Sequence, residues 1–415
     1  MEKLIVKMES IFKTDIRYLL KGGFWLNFTQ GVSLLSSFAL ALVCARFLSK
    51  TTYGEYKYIL SFGGILCAIT LTGFPTAITQ SVARGYEGTL SKAFKENLKW
   101  SFLMILVCFG IAIYYFTKHN SVYGFSMLVM GITLPLFNSA SFSDAFLVAK
   151  KKFRASAIYN IVSSVLLSAI LIVTILLKQN LLVLIVVYFT SSTLIEYCIY
   201  LITIKKYPPS KLVDEHALDY AVHLSGMNIL GTIADRIDSL LIFHYLGAVD
   251  LAIYTFSVAL PEQIKGFTKN ISSLALPRFS ERKIEQVQSS MTRKIIYTTL
   301  FMTIIIIMYI LIAPFIFYAF FPQYLTSILY SQIYSISVLF VANSQLPTSA
   351  LQAVVAKKQL HKYNLLSSLL QIILLFVGIK YYGILGAIIA ITVVRAVRLF
   401  YSWYLVSKLK SIPQT

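Results

Sequence analysis

Charged side chains occur inside long apolar runs of this 415-residue sequence, where they could bind an ion or a charged group. The cations are Arg236, Lys265, Lys269, Arg395 and Arg398, and the acids are Asp144, Glu196, Asp235, Asp238 and Glu262. A charge within a membrane is costly unless it faces water or a partner of opposite charge. If the apolar runs cross a membrane, we therefore expect these residues to serve a function.

The basic residues of the second half have the spacing of helical neighbours. Glu262, Lys265 and Lys269 fall on one face of a helix, at positions i, i+3 and i+7. Arg395 and Arg398 are also three residues apart, and two adjacent guanidinium groups in an apolar segment require an anion. Cations in excess around a cavity attract a multiply charged anion such as a pyrophosphate, which arginine binds through paired hydrogen bonds. The pattern therefore predicts an anion site.

The same residues could instead form internal salt bridges. Asp235 and Asp238 flank Arg236, and with Glu262 they could each hold one cation and fix the packing of the helices. Lys269 lies near the end of its apolar run, where a lysine can extend its amine to water. Both interpretations stay open on the sequence alone.

The apolar runs of the first half contain the acids Asp144 and Glu196. Glu196 could exchange a proton, bind a cation, or form a hydrogen bond with a Tyr or Ser, whereas Asp144 is close to the end of its run. The four cysteines are isolated within apolar runs and have neither metal-ligand nor redox spacing. We therefore expect no metal ion, no cofactor and no catalytic residue.

The composition indicates a chain that crosses a membrane many times. Apolar residues make up 57% of the sequence, charged residues make up 13%, and the mean hydropathy is +0.74. These values exclude an ordinary water-soluble protein. Because a span needs roughly 20 apolar residues, the runs predict an all-α polytopic membrane protein. Its twelve predicted transmembrane helices lie near residues 22–47, 56–81, 98–117, 122–148, 154–177, 181–204, 219–246, 251–276, 294–319, 326–356, 362–380 and 383–405.

The basic residues also predict the orientation of these helices. The net charge is +20, and most of the 37 basic residues lie in segments that are cytoplasmic if the N-terminus is inside. A few, including Lys57 and Lys118, fall in predicted outer loops. This asymmetry predicts cytoplasmic termini and explains the charge without a nucleic-acid partner. The predicted parts are a cytoplasmic amphipathic segment (1–21), an N-lobe (22–204), a cytoplasmic linker (205–218), a C-lobe (219–405) and a cytoplasmic tail (406–415).

Short strings that recur after about 200 residues indicate an internal repeat. Residues 149–151 (Ala-Lys-Lys) and 159–160 (Tyr-Asn) return at 356–358 and 363–364. Because each copy would contain six spans, both copies start from the cytoplasm and form a parallel repeat about an axis along the membrane normal. Two such six-helix lobes would enclose a cavity suited to alternating access.

Several motifs, in order and spacing, resemble those of one family of membrane proteins. In the first half these are residues 45–48 (Ala-Arg-Phe-Leu), 53–56 (Tyr-Gly-Glu-Tyr) and 73–75 (Gly-Phe-Pro). In the second half they are residues 235–242 (Asp-Arg-Ile-Asp-Ser-Leu-Leu-Ile) and 276–280 (Leu-Pro-Arg-Phe-Ser). Over nearly its whole length the sequence resembles the Wzx-type O-antigen/polysaccharide flippases of the multidrug/oligosaccharidyl-lipid/polysaccharide exporter superfamily.

The resemblance implies a flippase rather than an enzyme. Such a protein moves an undecaprenyl-pyrophosphate-linked O-antigen or related repeat unit from the cytoplasmic to the outer leaflet of the bacterial inner membrane. Its partners would be this lipid-linked oligosaccharide, membrane lipids, and a polysaccharide polymerase with its chain-length regulator. We expect Arg236, Lys265, Arg395 or Arg398 to hold the pyrophosphate.

Two other functions stay open. A cation-coupled multidrug exporter of the same superfamily would be expected to have a cavity dominated by acids, whereas cations predominate here. An integral-membrane polysaccharide polymerase or ligase needs catalytic groups outside, normally on a large outer loop, and the predicted outer loops are short. The sequence also has no glycine-rich phosphate-binding loop of the kind that an ATPase uses.

Overall fold

Helices account for the secondary structure of the chain wherever the structure describes it. The computed structural model describes residues 16–280, 284–353 and 357–408. Residues 1–15 of the predicted amphipathic segment and residues 409–415 of the predicted tail lie outside these ranges. Within them, the regular elements are long α-helices joined by short turns, and no β-strand occurs.

The helices follow one another with few intervening residues. In chain order they are α1 (Ile16–Phe47), α2 (Lys50–Leu66), α3 (Phe74–Ala83), α4 (Thr89–Thr117), α5 (Ser121–Ala140), α6 (Phe142–Ala149), α7 (Phe153–Leu177), α8 (Leu181–Lys206), α9 (Ala217–Ala234), α10 (Ile237–Leu246), α11 (Ala248–Ser280), α12 (Ile284–Phe320), α13 (Ser327–Ala353) and α14 (Lys357–Ser407). Short 3-10 helices lie at Cys67–Ile69 and Pro322–Tyr324.

Many of these helices are long and apolar enough to span a membrane. Among the described residues seven helices meet this condition, or eight if α2 and α3, bent by 55°, form one broken span. The long helix α14 is two spans, because Gly383 breaks it with non-helical angles (φ 59°, ψ −139°). Three further candidate spans contain more polar residues. They are α9 together with α10, α11 alone, and α13 alone. Counted with these breaks, the described helices correspond to the twelve predicted spans, and the predicted all-α polytopic fold class is confirmed.

Glycine makes the sharp reversal within α14 possible. A left-handed φ at Gly383 is accessible to glycine at little cost. On either side of the reversal Gly378 and Gly386 face each other, and a Cβ on Gly378 would lie 2.6 Å from the carbonyl oxygen of Gly386. The two arms of α14 therefore approach to backbone contact.

The chain folds into two compact units that alternate along the sequence. Of the described residues, the first unit contains those up to residue 43 and residues 66–228, and the second contains residues 44–65 and those from residue 229 onward. The lobes predicted from the sequence, 22–204 and 219–405, are each continuous in the chain and stay a prediction.

In the first unit, α4 packs on α5, and α8 packs on both α5 and α7. Asn120 and Asn180 begin α5 and α8 by accepting hydrogen bonds from backbone N–H groups of the first turn. A buried cluster around Phe74, Phe142 and Phe146 joins α3 to α6. This packing places polar residues of α6, α7 and α8 near one another.

The predicted linker at 205–218 is bound to the turn between α3 and α4. Asp214 accepts hydrogen bonds from Arg84 Nη2 (2.6 Å) and Ser81 Oγ (2.8 Å). In the same turn, Glu87 forms an ion pair of 2.9 Å with Lys150. The hydrogen bond from Lys150 lowers the pKa of the Glu87 carboxyl below its usual value. The hydrogen bonds to Asp214 attach the linker to this turn.

In the second unit, α13 lies between α11 and α14 and packs on both. Buried apolar side chains from α10, α11 and α14, including Ile242, Leu251, Leu375 and Ile379, form its core. Because α11 and α14 flank the same helix, charged residues of these two helices can meet although they are far apart in the sequence.

Candidate functional site

Glu262 of α11 is the centre of a charged cluster in the second unit. Its Oε2 lies 3.0 Å from Lys265 Nζ, one helical turn further along α11. Its Oε1 accepts a hydrogen bond from the hydroxyl of Tyr334 on α13 (2.6 Å) and forms an ion pair with Arg395 Nη2 on α14. The structure thus brings together three of the charged residues singled out by the sequence.

Arg395 is held by its own set of hydrogen bonds. Nη1 donates to Ser337 Oγ at 2.8 Å, and Nη2 donates to the Tyr334 hydroxyl at 2.9 Å. The guanidinium also lies over the Tyr334 ring, 5.0 Å from its centroid. Contacts with two side chains of α13 therefore position this cation independently of Glu262.

The three charged groups differ in exposure. The exposed fraction of the side chain is 42% for Lys265, 30% for Glu262 and 10% for Arg395. Two cations share one carboxylate, so the cluster carries a net positive charge when all three are ionised. Guanidinium and ammonium groups that converge in this way can bind an anion.

Asp238 and Tyr254 extend this polar region towards α10. The Tyr254 hydroxyl donates to Asp238 Oδ2 at 2.5 Å, and the backbone N–H of Ser239 donates to Asp238 Oδ1 at 2.7 Å. Both carboxylate oxygens of Asp238 therefore accept hydrogen bonds from neutral groups. The prediction that it neutralises a neighbouring cation stays a prediction.

Arg236 lies in the break between α9 and α10, next to Asp235, and both side chains are exposed. The side chain of Arg236 crosses α2 at Gly64, where a Cβ would lie 3.3 Å from Nε. The absence of a side chain at Gly64 therefore makes room for this guanidinium.

Arg398 has a different environment from Arg395. Its Nη2 donates to Gln371 Oε1 at 3.2 Å, while Gln371 Nε2 donates to the carbonyl of Ala234 at 2.7 Å, at the end of α9. The Nε of Arg398 is buried and has no hydrogen-bond acceptor among the described atoms. The two arginines are adjacent on α14, but the anion beside Arg395 is the chain's own Glu262.

Lys57 is a further cation of the second unit, and its position corrects the sequence analysis. It is not in an outer loop but within α2, and α2 belongs to a candidate span. Its Nζ lies 5.3 Å from the centroid of the Tyr53 ring and 5.9 Å from that of Tyr56. The predicted span 56–81 begins six residues after the start of α2 at Lys50, and the sequence analysis counted Lys57, at the edge of that span, with the preceding loop.

Asp144 and Glu196 belong to a polar cluster in the first unit. Asp144 Oδ1 accepts hydrogen bonds from Ser156 Oγ (2.5 Å) and Asn160 Nδ2 (2.9 Å) of α7. Glu196 of α8 accepts a hydrogen bond of 2.7 Å from Ser163 Oγ. The donors fall on one face of α7, at i, i+4 and i+7. The hydrogen bond to a serine that the sequence analysis considered for Glu196 is present.

One predicted site residue is only partly within the described residues. Lys269 lies on α11, and its side chain is outside the described residues. In the described part of the chain, no three His, Cys, Asp or Glu side chains come close enough to hold a metal ion.

The sequence analysis did not identify Tyr334, Ser337 or Gln371. The signal for the first two is a polar stripe on α13, in which Ser331, Tyr334 and Ser337 recur at intervals of three residues. Interpreting that stripe as a binding face requires knowing that α13 lies between α11 and α14.

Comparisons with known proteins assign the chain to a family. Residues 19–283 match the model of a family described as polysaccharide biosynthesis protein. A comparison with curated proteins found no match. Because the family model covers more than half of the chain, it shows family membership.

Solved structures with the same fold are transporters. The lipid II flippase MurJ in an inward closed conformation has a TM-score of 0.74 at 13% identity, covering 94% of this chain and 88% of MurJ. An outward-facing multidrug resistance MATE family transporter of the MOP superfamily has a TM-score of 0.63 at 12% identity, covering 94% of each chain. The MATE transporter VcmN of Vibrio cholerae in the bent form has a TM-score of 0.57 at 14% identity, covering 94% of this chain and 96% of that one.

These identities are low, so the likeness concerns the fold. It confirms the resemblance to the exporter superfamily that the sequence motifs indicate. The chain is a multi-pass membrane protein that belongs to the polysaccharide biosynthesis protein family and has the fold of the flippases and exporters of the MOP superfamily.

Proposed function

We propose that the protein is a flippase for undecaprenyl-pyrophosphate-linked oligosaccharide repeat units, of O-antigen or a related surface polysaccharide. It moves them from the cytoplasmic to the outer leaflet of the bacterial inner membrane, with both of its own termini in the cytoplasm. The family match and the fold shared with a lipid II flippase support a lipid-linked sugar as cargo. A polysaccharide polymerase and its chain-length regulator would use the product.

The observation that carries the proposal is the convergence of two cations on one carboxylate. Arg395 and Lys265 both contact Glu262, and the same unit contains Lys57, Arg236 and Arg398. A pyrophosphate cannot enter hydrocarbon without replacing its hydration, because transfer of an unpaired charge is prohibitively costly. Guanidinium and ammonium groups at membrane depth provide that replacement.

The mechanism requires no covalent step. In alternating access, the pyrophosphate binds these cations while the site is open to the cytoplasm, the prenyl chain stays in lipid, and the site then opens outward. An inside-negative potential favours the outward movement of an anion, by about 2.3 kcal/mol per charge for every 100 mV.

A complementation experiment tests the proposal. Arg236, Lys265, Arg395 and Arg398 are replaced singly by Ala and by Glu in a strain that lacks the gene. Surface polysaccharide and accumulated lipid-linked repeat units are then measured at matched protein levels. Because a hydrogen bond to a charged group is worth about 1.5–3 kcal/mol, loss of one contact should lower export roughly tenfold or more.

An exposed lysine provides the matched control. Lys99 forms an ion pair of 2.7 Å with Glu96 on α4, and 70% of its side chain is exposed. Lys99→Ala should leave export unchanged. Normal export by all four Ala variants would refute the proposed anion site.

A cation-coupled multidrug exporter is the second candidate. The fold shared with MATE transporters and the hydrogen-bonded acids Asp144 and Glu196 favour it. Under that function, Glu196→Gln should raise the drug sensitivity of the complemented strain while surface polysaccharide stays normal. Under the flippase proposal, deletion of the gene removes surface polysaccharide and leaves drug sensitivity unchanged.

A further inference from the structure

Glu262 occupies the positions in which an anionic cargo would have to bind. We propose that Glu262 is a resident counter-ion: it holds Arg395 and Lys265 in the empty protein, and the diphosphate of the cargo displaces it. This inference rests on the proposed function and specifies how the anion site is regulated.

Both carboxylate oxygens of Glu262 are used. Oε1 contacts Arg395 and Tyr334, and Oε2 contacts Lys265. Two oxygens between a guanidinium, a phenol hydroxyl and an ammonium reproduce the contacts that one phosphate of a diphosphate can make. Glu262 and the cargo therefore compete for the same donors.

Arg395 is more buried than Glu262, so an incoming anion has to displace the carboxylate. Arg395 has only 10% of its side chain exposed, whereas Glu262 has 30% exposed. Since Glu262 lies directly against Nη2, an anion cannot take its place on that nitrogen until the carboxylate has moved away. Glu262 can move by rotation about its side-chain bonds without a change in α11.

Arg395 keeps its position when Glu262 leaves. Its hydrogen bonds to Ser337 and Tyr334 come from α13 and do not involve the carboxylate. The guanidinium therefore stays oriented for an incoming anion, and Lys265, with 42% of its side chain exposed, can follow the anion. Glu262 is the mobile member of the cluster.

Cargo can bind only while Glu262 is away from the cations. The apparent affinity for cargo is therefore the intrinsic affinity multiplied by the fraction of time that Glu262 is away. If Glu262 leaves about one tenth of the time, its neutralisation should tighten anion binding about tenfold. Glu262→Gln is the suitable change because the amide has the same shape, and its oxygen can still accept the Tyr334 hydrogen bond. A residue needed directly for anion binding would have the opposite effect.

The experiment measures binding of inorganic pyrophosphate to the purified full chain in lipid nanodiscs by calorimetry, at fixed pH and ionic strength. The variants are Glu262→Gln, Arg395→Gln and, as the matched control, Glu96→Gln. Glu96 accepts from Lys99 at i, i+3, as Glu262 does from Lys265, but 70% of the Lys99 side chain is exposed. We expect about tenfold tighter binding for Glu262→Gln, weaker binding for Arg395→Gln, and no change for Glu96→Gln.

The outcomes separate this inference from the proposed function. If Arg395→Gln weakens binding while Glu262→Gln leaves it equal or weaker, the counter-ion role is refuted and the anion site stands. If Arg395→Gln changes nothing, the anion site itself is wrong. Should Glu262→Gln fail to fold, Glu262→Asp decides, because its shorter side chain cannot reach both cations: tighter binding supports the inference, and equal or weaker binding overturns it.

Discussion

The ion pair between Glu262 and Arg395 should show strong energetic coupling. Arg395→Met leaves Glu262 with Lys265 and Tyr334, whereas Glu262→Gln leaves Arg395 in a site that is 10% exposed. Breaking a buried pair costs about 3–5 kcal/mol, because the remaining charge stays desolvated. Glu262 is partly exposed and keeps two partners, so Arg395→Met should fall at the lower end, at about 3 kcal/mol.

The double variant should be far less unstable than the two single changes predict. Glu262→Gln with Arg395→Met removes both charges of the pair, and the cation that remains, Lys265, has 42% of its side chain exposed. Replacement of a buried pair by uncharged groups is often nearly neutral. We therefore expect a coupling of about 2 kcal/mol or more between the two positions. The control cycle uses Glu96 and Lys99, which should couple by only about 0.5 kcal/mol because 70% of the lysine side chain is exposed to solvent.

The assay is chemical unfolding of the purified protein in detergent micelles, followed by circular dichroism, for both single variants and the double variant. The free energy of unfolding is compared across each cycle. Additive losses at Glu262 and Arg395, within about 0.5 kcal/mol, would show that the pair is not a desolvated unit. The structural basis of the proposed site would then be wrong.

Two further predictions concern the packing and the charged turn. Gly54→Ala should prevent stable folding, because a Cβ there would lie 1.8 Å from the carbonyl oxygen of Ala248, while Gly31→Ala, with nothing within 4 Å, should be tolerated; the yield of monodisperse protein in gel filtration measures both. Lys150 lowers the pKa of Glu87 in the folded state, so this carboxylate stabilises the fold above its unfolded pKa, and the contribution disappears as the pH falls through the folded value. Thermal unfolding of Glu87→Gln should therefore lose less stability than the natural chain between neutral and acid pH, and identical pH profiles would contradict this reasoning.

The spans could be predicted from the sequence because each depends on a local property. A run of about 20 apolar residues between charged residues identifies a transmembrane helix, whichever helices it packs against. The failure at Lys57 has the same physical origin, since an apolar run that begins with lysine and tyrosine side chains has no clear edge. Tyrosine rings close to its amine can stabilise this cation within a helix that belongs to a candidate span.

The candidate site could be predicted only as far as it is local. Glu262 and Lys265 are one helical turn apart, and their contact follows from spacing alone. The contact between Glu262 and Arg395 joins residues 133 positions apart, and it exists because α11 and α14 both pack on α13. The spacing of residues within a single helix cannot predict which helices pack on α13.

Tyr334 shows why the rest of the site was missed. In the composition it counts among the apolar aromatic residues, and 3% of it is exposed, as expected for a core side chain. Its hydroxyl donates to Glu262 and accepts from Arg395, so the same residue fills the core and orients two charges. A buried tyrosine usually has a hydrogen-bond partner for its hydroxyl, and here the partners are the two charged groups.

Under the proposed counter-ion role, stability and transport make opposite demands on Glu262. In the empty protein its carboxylate compensates two cations, and without it Arg395 would lack a counter-charge inside a membrane protein. The contacts that stabilise the empty state have to be given up before an anion can bind, so they reduce the affinity for cargo. A weaker hold on a diphosphate also eases its release, and a transporter that bound its cargo through permanently free cations would gain affinity and lose turnover. One carboxylate between two cations therefore meets two needs: an empty site that tolerates the membrane interior, and a loaded site from which the cargo can leave.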